Sequence, residues 1–171
     1  MTDVVDLRPI TDDDATLLVV ATAGNLSWSG QHFTEADVRT RPEFRHYTRL
    51  VGSRGDFGFV ALRAGVPVGV GWALFLPADD PGYGFVDGAI PEISLWVRAD
   101  ARGSGVGRML LRRLQHEAVL KRIPKLSLSV EEGNRAARLY AAEGFVPVVG
   151  REDDGVMLWS GEAAVGTPRS R

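Results

Sequence analysis

A glycine-rich turn stands directly before the clearest helical segment of the chain. Residues 102–107 read Arg-Gly-Ser-Gly-Val-Gly and follow a strand-like apolar run at 90–97. Glycines let the backbone approach a ligand closely, and the first amides of the following helix have no partners within that helix. The helix dipole adds positive potential, and Arg102 and Arg108 add charge at the two ends of the turn. This strand–turn–helix unit therefore favours binding of a phosphate group.

Two common phosphate motifs do not fit this turn. A P-loop ends in Gly-Lys-Ser/Thr, whereas Gly107 is followed by Arg108 and Met109. A Rossmann fingerprint opens an N-terminal βαβ unit and has an acidic residue about 20 positions later. Here a hairpin precedes the turn, and Lys121-Arg122 stands where that acid belongs. A purely structural turn remains the alternative to a phosphate site.

The rest of the chain predicts one mixed α/β domain with a core over residues 4–160 and a weakly structured tail at 161–171. Strands are predicted at 4–8, 57–62, 66–76, 90–97, 125–130, 145–149 and 156–159, and helices at 11–24, from 34, at 105–122 and at 134–143. Arg63-Ala64-Gly65 predicts the tight turn of a hairpin. The apolar stripe predicted for the long helix comprises Val106, Met109, Leu110, Leu114 and Ala118.

Composition excludes several classes of protein. The net charge of -2 and the pI near 5.9 make nucleic acid a poor candidate partner. The chain has no cysteine, which excludes disulfides, cysteine-based metal sites and a cysteine nucleophile. Its three histidines lack metal-like spacing, so we expect no metal. Asp3 and Asp6 do not suit a signal peptide, and the longest apolar stretch is too short for a bilayer. We expect a cytoplasmic protein without a membrane partner.

Two sequence blocks together resemble the GNAT superfamily of N-acetyltransferases. Arg102, Gly105 and Gly107 match the family's Gln/Arg-x-x-Gly-x-Gly/Ala signature at a strand-to-helix junction. Residues 126–130 and the segment from Asn134 to Phe145 resemble the family's fifth strand and the helix after it. The separation of the blocks and the order of elements also agree. The resemblance implies a mostly antiparallel central sheet of six or seven strands flanked by about four helices.

The resemblance also implies acetyl-CoA as the acyl donor and assigns residues to it. In the family, the backbone of the fourth strand pairs with the pantetheine arm, and the glycine-rich turn holds the pyrophosphate. The helix after the fifth strand helps to position the cofactor. The implied residues are Leu95, Trp96, Val97, Arg102, Gly103, Ser104, Gly105, Val106, Gly107, Arg108, Asn134, Ala137 and Tyr140. From the residues alone, Asn134 can equally be a helix N-cap and Tyr140 a core side chain.

Direct transfer to an amine needs a general base and a proton for the departing thiolate, but no enzyme nucleophile. The resemblance implies Tyr140 as the acid, and Glu92 is our candidate base, acting directly or through water. In the histone acetyltransferase branch the catalytic glutamate aligns with Pro91, one position earlier. A shift of one residue reverses the face of a strand, unless a bulge restores it. Glu92 as an ordinary half-exposed residue therefore stays open.

The acceptor groove implied by the family contains acids and aromatic rings that suit an amine, and our candidates are Trp28, Tyr83 and Asp87. Each can instead be an ordinary core or surface residue. We expect transfer of an acetyl group to a small-molecule or peptide amine in a ternary complex. Another acyl group, or a degenerate domain that binds acyl-CoA without turnover, is the alternative. Dimers are common in the family, and nothing in the sequence decides this point.

Overall fold

The computed structural model describes residues 4–161, so all of the tail predicted at 161–171 except its first residue lies outside the described residues. The strands are β1 (Val5–Pro9), β2 (Phe57–Arg63), β3 (Val66–Leu74), β4 (Glu92–Val97), β5 (Lys125–Ser129), β6 (Val146–Pro147) and β7 (Val156–Ser160). The α-helices are α1 (Ala15–Leu26), α2 (Glu35–Thr40), α3 (Pro42–Arg45), α4 (Val106–Leu120) and α5 (Ala136–Ala142). No helix in this part of the chain has the length and apolar character needed to cross a membrane.

The strands form one seven-stranded sheet in the order β1-β2-β3-β4-β5-β7-β6. All neighbouring strands are antiparallel except β4 and β5, which run parallel. The predicted hairpin is confirmed. Ala64 and Gly65 have φ values of 49° and 77°, as a two-residue turn between twisted strands requires. The mixed fold implied by the resemblance is therefore present, and residues 4–161 contain five α-helices where the resemblance implies about four.

Two cores cover opposite faces of the sheet. On one face, α4 and α5 pack on alternate residues of the strands, including Ile93, Leu95 and Val97 of β4. On the other face, α1 and Tyr47 pack against Trp72, Leu74 and Trp96. Because successive side chains of a strand point to opposite faces, Glu92 lies on the second face, with Trp96.

The elements differ from the prediction mainly at their ends. The first predicted helix begins as a 3-10 turn at Asp12–Asp14 before α1 starts. The stripe predicted for α4 is wrong at Met109, which is 39% exposed. Leu111 and Gln115 are buried instead, because α4 sits between the sheet and the end of α5, where Gln115 Nε2 donates to the carbonyl of Glu143.

Candidate active site

β4 and β5 separate almost as soon as they meet. Within residues 4–161 they share one paired position, Glu92 opposite Ser127, where the Ser127 amide donates to the Pro91 carbonyl at 3.0 Å. Along the rest of β4 the edge toward β5 is open, and the glycine-rich turn lies at its far end. A gap of this kind leaves strand amides and carbonyls unpaired, and an extended ligand can bind them as an added strand.

The turn has the open backbone that a phosphate needs. Gly103 and Gly105 have φ values of 74° and 87°, in the left-handed region that disfavours side chains. A Cβ at either position would meet no atom within 4 Å, so space lies beside both glycines. Gly105 is the N-cap of α4, and the free amides of the first turn of the helix follow it. This geometry fits a pyrophosphate group.

Three arginines lie around the turn, in different arrangements. Arg102 Nε donates to the Val97 carbonyl at 3.2 Å, which ties the end of β4 to the turn. Arg108 is directed to Glu143, with 3.0 Å between Nε and Oε1. Sequence reasoning missed Arg63, whose Nη2 donates to Ser104 Oγ at 3.3 Å. Arg63 stands at the end of β2, far from the motif in sequence, and only the sheet brings it here.

Glu92 is buried, with 6% of its surface exposed, and is therefore not a half-exposed strand residue. Its Oε1 accepts hydrogen bonds from the Tyr47 hydroxyl at 3.1 Å and from the Gly84 amide at 3.0 Å. Its Oε2 is also buried, and no group in residues 4–161 forms a hydrogen bond with it. Gly82 lies directly over Oε2, where a Cβ would collide with that oxygen. One carboxylate oxygen is thus fixed, and the other is covered but free to hold a proton.

Burial raises the pKa of Glu92 from 4.5 to about 7, although the bonds from Gly84 and Tyr47 act in the opposite direction. A carboxyl group with a pKa near neutrality can both take and release a proton at physiological pH. Tyr47 stays protonated, because burial and the nearby Glu92 carboxylate raise the pKa of its hydroxyl. Tyr47 therefore acts as a donor to Glu92, and it accepts the Tyr83 amide at 2.8 Å.

The free energy of unfolding should fall as the pH rises through the window between the two pKa values of Glu92. The unfolded chain loses this proton near pH 4.5, whereas the folded protein keeps it until about pH 7. Between these two pH values the folded state binds more protons than the unfolded state. The free energy of unfolding therefore falls by about 3 kcal/mol by about pH 7. Urea unfolding of the wild type and of Glu92→Gln between about pH 4 and pH 8 measures this difference. A pH-independent difference would contradict the raised pKa.

Tyr140 is also buried, and it packs edge-on against Phe145 with 5.9 Å between the ring centroids. Burial raises the pKa of its hydroxyl to about 12, so it is a proton donor at neutral pH. Asn134 lies one residue before Arg135, the N-cap of α5, and its Oδ1 accepts the Ala136 amide at 2.9 Å, so its side chain satisfies a free amide at the start of this helix. Ala137 is half-buried beside the α4 core.

The fourth-strand candidates are half-buried. Leu95 and Val97 point to the α4 face, and their side chains lie near the position that a Cβ on Gly107 would occupy. Trp96 points to the α1 face, where a Cβ on Gly24 would come within 2.5 Å of the indole Nε1. These three side chains are thus packing residues. Because the Arg98 amide donates to Val68 of β3, alternation directs the backbone of Trp96 to β3 and the backbone of Leu95 and Val97 to the open edge, so the role predicted for Trp96 does not fit its position. Val106 is buried, and Ser104 is exposed.

The predicted acceptor residues do not form one cluster. Trp28 is 39% exposed in the turn after α1, so it does not pack into the core. Tyr83 is 56% exposed and stacks parallel to Tyr47 at 6.4 Å between the ring centroids. Asp87 is exposed and accepts the Ala89 amide within its own loop. Of the three, the structure brings only Tyr83 close to Glu92, through Tyr47.

Sequence reasoning missed Tyr47 and the glycine pair Gly82 and Gly84. Tyr47 lies in a 3-10 turn at His46–Thr48, a segment without a motif. Gly84 approaches the backbone of β5 so closely that a Cβ would lie 2.6 Å from the Leu128 carbonyl carbon. The only available signal was the number of glycines in the loop at 77–88.

Comparisons with known proteins agree with this geometry. The sequence model of the Acetyltransferase (GNAT) family matches residues 20–145. A search of the curated proteins gave no match. The fold is similar to that of a GNAT-family acetyltransferase from Staphylococcus aureus Mu50, at 12% identity, TM-score 0.70, and coverage of 93% of this chain and 100% of that one.

Two further similar structures contain a form of coenzyme A. YncA, a putative acetyltransferase from Salmonella typhimurium with its cofactor acetyl-CoA, is 20% identical, with TM-score 0.67 and coverage of 98% of this chain and 99% of that one. The PaiA N-acetyltransferase from Thermoplasma acidophilum in complex with coenzyme A is 15% identical, with TM-score 0.66 and coverage of 92% and 99%. At these identities the likeness establishes the fold.

Proposed function

The chain belongs to the acetyltransferase (GNAT) family, and we propose that it moves an acetyl group from acetyl-CoA to a primary amine by direct transfer in a ternary complex. The observation that carries the proposal is the open edge of β4, with the glycine-rich turn at one end and the buried carboxyl of Glu92 at the other. β4 thus has a phosphate site at one end of the gap toward β5 and, at the other end, the Glu92 carboxyl, whose pKa is near neutrality.

Binding of the donor uses mostly backbone. The amides of Gly105 and of the first turn of α4 would hold the pyrophosphate, and Arg102 adds positive charge beside them. The open edge offers the amides of Leu95 and Val97 and the Leu95 carbonyl to the two amide groups of the pantetheine arm, whereas the backbone of Trp96 is directed to β3. Acetyl-CoA, when bound there, supplies an activated thioester carbonyl.

Proton transfer uses two side chains. An amine attacks only when neutral, so the ammonium proton must leave, and Glu92 Oε2 is an acceptor without a partner. Because Gly82 covers that oxygen, the proton would reach it through a water molecule. As the new C–N bond forms and the C–S bond breaks, the Tyr140 hydroxyl can protonate the departing sulfur. With a pKa of about 12, the hydroxyl is protonated at neutral pH before the reaction begins.

The covering of Glu92 also favours a second candidate function, a domain that binds acyl-CoA as a regulatory or structural ligand without turnover. The carboxyl shows no exposed oxygen in this structure, since Oε2 is buried and Oε1 is engaged by two donors. An enzyme needs a path from solvent to that group, whereas a binding domain does not. Cytoplasmic location and a homodimer stay predictions.

Amine-dependent release of free thiol from acetyl-CoA tests the proposal. We expect at least one class of amine to accelerate thiol release well above hydrolysis in buffer, with the acetylated amine identified by mass spectrometry. Propionyl-CoA and succinyl-CoA, assayed in parallel, define the acyl preference. A folded protein that binds acetyl-CoA, but releases thiol at the same rate with and without every amine, would support the binding-only function instead.

A further inference from the structure

A second cavity lies on the Tyr47 side of the sheet. It is formed by α3, by the 3-10 turns His46–Thr48 and Gly52–Arg54, and by the loop after β3, and it has a volume of about 410 Å³. Its charged and titratable lining residues are Arg45, His46, Arg49, Arg54, Asp79 and Asp80. Three guanidinium groups around one small cavity are unusual in a chain whose net charge is -2.

Two of these arginines lack a local counter-charge. Arg54 is neutralised by Asp56, with 2.6 Å between Nη2 and Oδ2, and the Asp56 side chain is fully buried. Arg45 and Arg49, both exposed, form no ion pair with the residues that the structure describes. Asp80 is engaged by His46, which leaves Asp79 as the one free acid of the described lining. Among the lining side chains that have no hydrogen-bonded or ion-pair partner within residues 4–161, two are cationic, Arg45 and Arg49, and one is anionic, Asp79.

His46 adds a buried group without a partner. Its side chain is 6% exposed, and its Nδ1 lies 2.9 Å from Asp80 Oδ1. A carboxylate only accepts hydrogen bonds, so Nδ1 carries the proton of this bond. Nε2 is buried and has no hydrogen-bond partner within residues 4–161. A buried polar nitrogen without a partner is costly to the fold, so a bound group that reaches this nitrogen would relieve that cost.

The cavity adjoins the proposed catalytic group. The ring of His46 contacts the ring of Tyr47 at 4.3 Å between centroids, and the Tyr47 hydroxyl donates to Glu92. One aromatic side chain thus separates the cavity lining from the carboxyl group. A bound molecule of modest length could occupy the cavity at one end and present an amine near Glu92 at the other.

We propose that this cavity is an anion subsite, which holds a carboxylate or phosphate group of the acceptor. The inference rests on the proposed function and narrows it to amines that also carry an acidic group. Arg45 and Arg49 bind such a group through charge-assisted hydrogen bonds, and His46 lies in the same lining. Polyamines, which have no acidic group, fit this lining poorly because the arginines repel them.

The first test measures binding without turnover. Inorganic phosphate and acetate are titrated separately into the protein without CoA, and the His46 imidazole resonances are followed by NMR. We expect a saturable shift at His46, with His32 and His116 as internal references. Arg45→Gln with Arg49→Gln should weaken binding at least tenfold. Arg135→Gln with Arg138→Gln, which removes the same charge from exposed positions at α5 on the opposite face of the sheet, should not change it. Absence of a His46 shift with both anions would overturn the proposal.

The second test uses pairs of acceptors that differ only in an acidic group, such as alkylamines and ω-amino acids of equal chain length, with an aminoalkyl phosphate in a third series. The Arg45→Gln, Arg49→Gln variant should lower kcat/KM at least tenfold for the acidic amines, mainly through KM, and leave the alkylamines unchanged. An equal loss of kcat/KM for acidic amines and alkylamines would overturn the anion subsite. The proposed function would still stand in that case, because the wild type acetylates amines. Saturable phosphate binding at His46 without turnover of any amine would remove the proposed function and the acceptor assignment with it.

Discussion

Glu92→Gln is expected to lower kcat for amine acetylation by about 10²- to 10⁴-fold, with little change in the affinity for acetyl-CoA. Glutamine has the size of glutamate, and its Oε1 can still accept from Tyr47 and Gly84, so the fold around position 92 is retained. What is lost is the group that takes a proton near neutral pH. Initial rates at saturating amine, together with calorimetric binding of acetyl-CoA, separate the two effects.

The pH profile makes this test specific. In the wild type, kcat should rise with pH to a plateau above about 7, because Glu92 must be ionised to act as a base. The variant should lose that limb of the profile. Glu132→Gln makes the same substitution at an exposed glutamate. It should leave both kcat and its pH profile as in the wild type. Full turnover by Glu92→Gln would remove Glu92 from the mechanism.

Gly107→Glu is expected to raise the Kd for acetyl-CoA by about 100-fold. The residue lies in the first turn of α4, and a Cβ there would meet Leu139, Val97 and Leu95 side-chain atoms at ordinary contact distances of 3.5 to 3.8 Å. The fold therefore accepts a side chain at this position. A carboxylate about 5 Å from a phosphate costs about 3 kcal/mol at an effective dielectric constant near 20.

Gly107→Gln is the matched control, because it has the same length and no charge. We expect it to weaken binding by at least tenfold less than Gly107→Glu, as measured by calorimetry, with both variants melting near the wild-type temperature. An acidic residue in the first turn of a helix is favourable for the helix itself, so any loss of binding by Gly107→Glu is not a loss of folding. Unchanged affinity in both variants would show that the turn does not hold the phosphates.

The sequence predicted the sheet, the long helix and the turn because each depends on local pattern. Alternation, glycine at left-handed positions and a strand-to-helix junction are all visible within about ten residues. Met109 shows the limit of that approach. Helical periodicity located the stripe of α4 but could not tell which neighbouring element would cover its edge, and α5 covers the side with Gln115 instead.

The site was less predictable because its geometry is tertiary. The face on which Glu92 lies was uncertain by one residue in the sequence, and the register of β4 with β3 and β5 decides it. Its burial depends on a loop that folds back over β5 at Gly84 and on Tyr47, which is 45 positions away in the chain. No local pattern marks either contact. The roles of Glu92, Tyr140 and the acceptor residues stay predictions.

The single pairing between β4 and β5 has a consequence for the integrity of the fold. It divides the sheet into a four-stranded part and a three-stranded part, each complete in itself, with an interior seam that lacks the usual ladder of backbone bonds. An interior seam has the properties of a sheet edge: its polar groups depend on solvent or on another molecule. If the acyl donor binds in this seam as proposed, it would add an eighth strand and supply the backbone bonds that β4 and β5 do not make with each other.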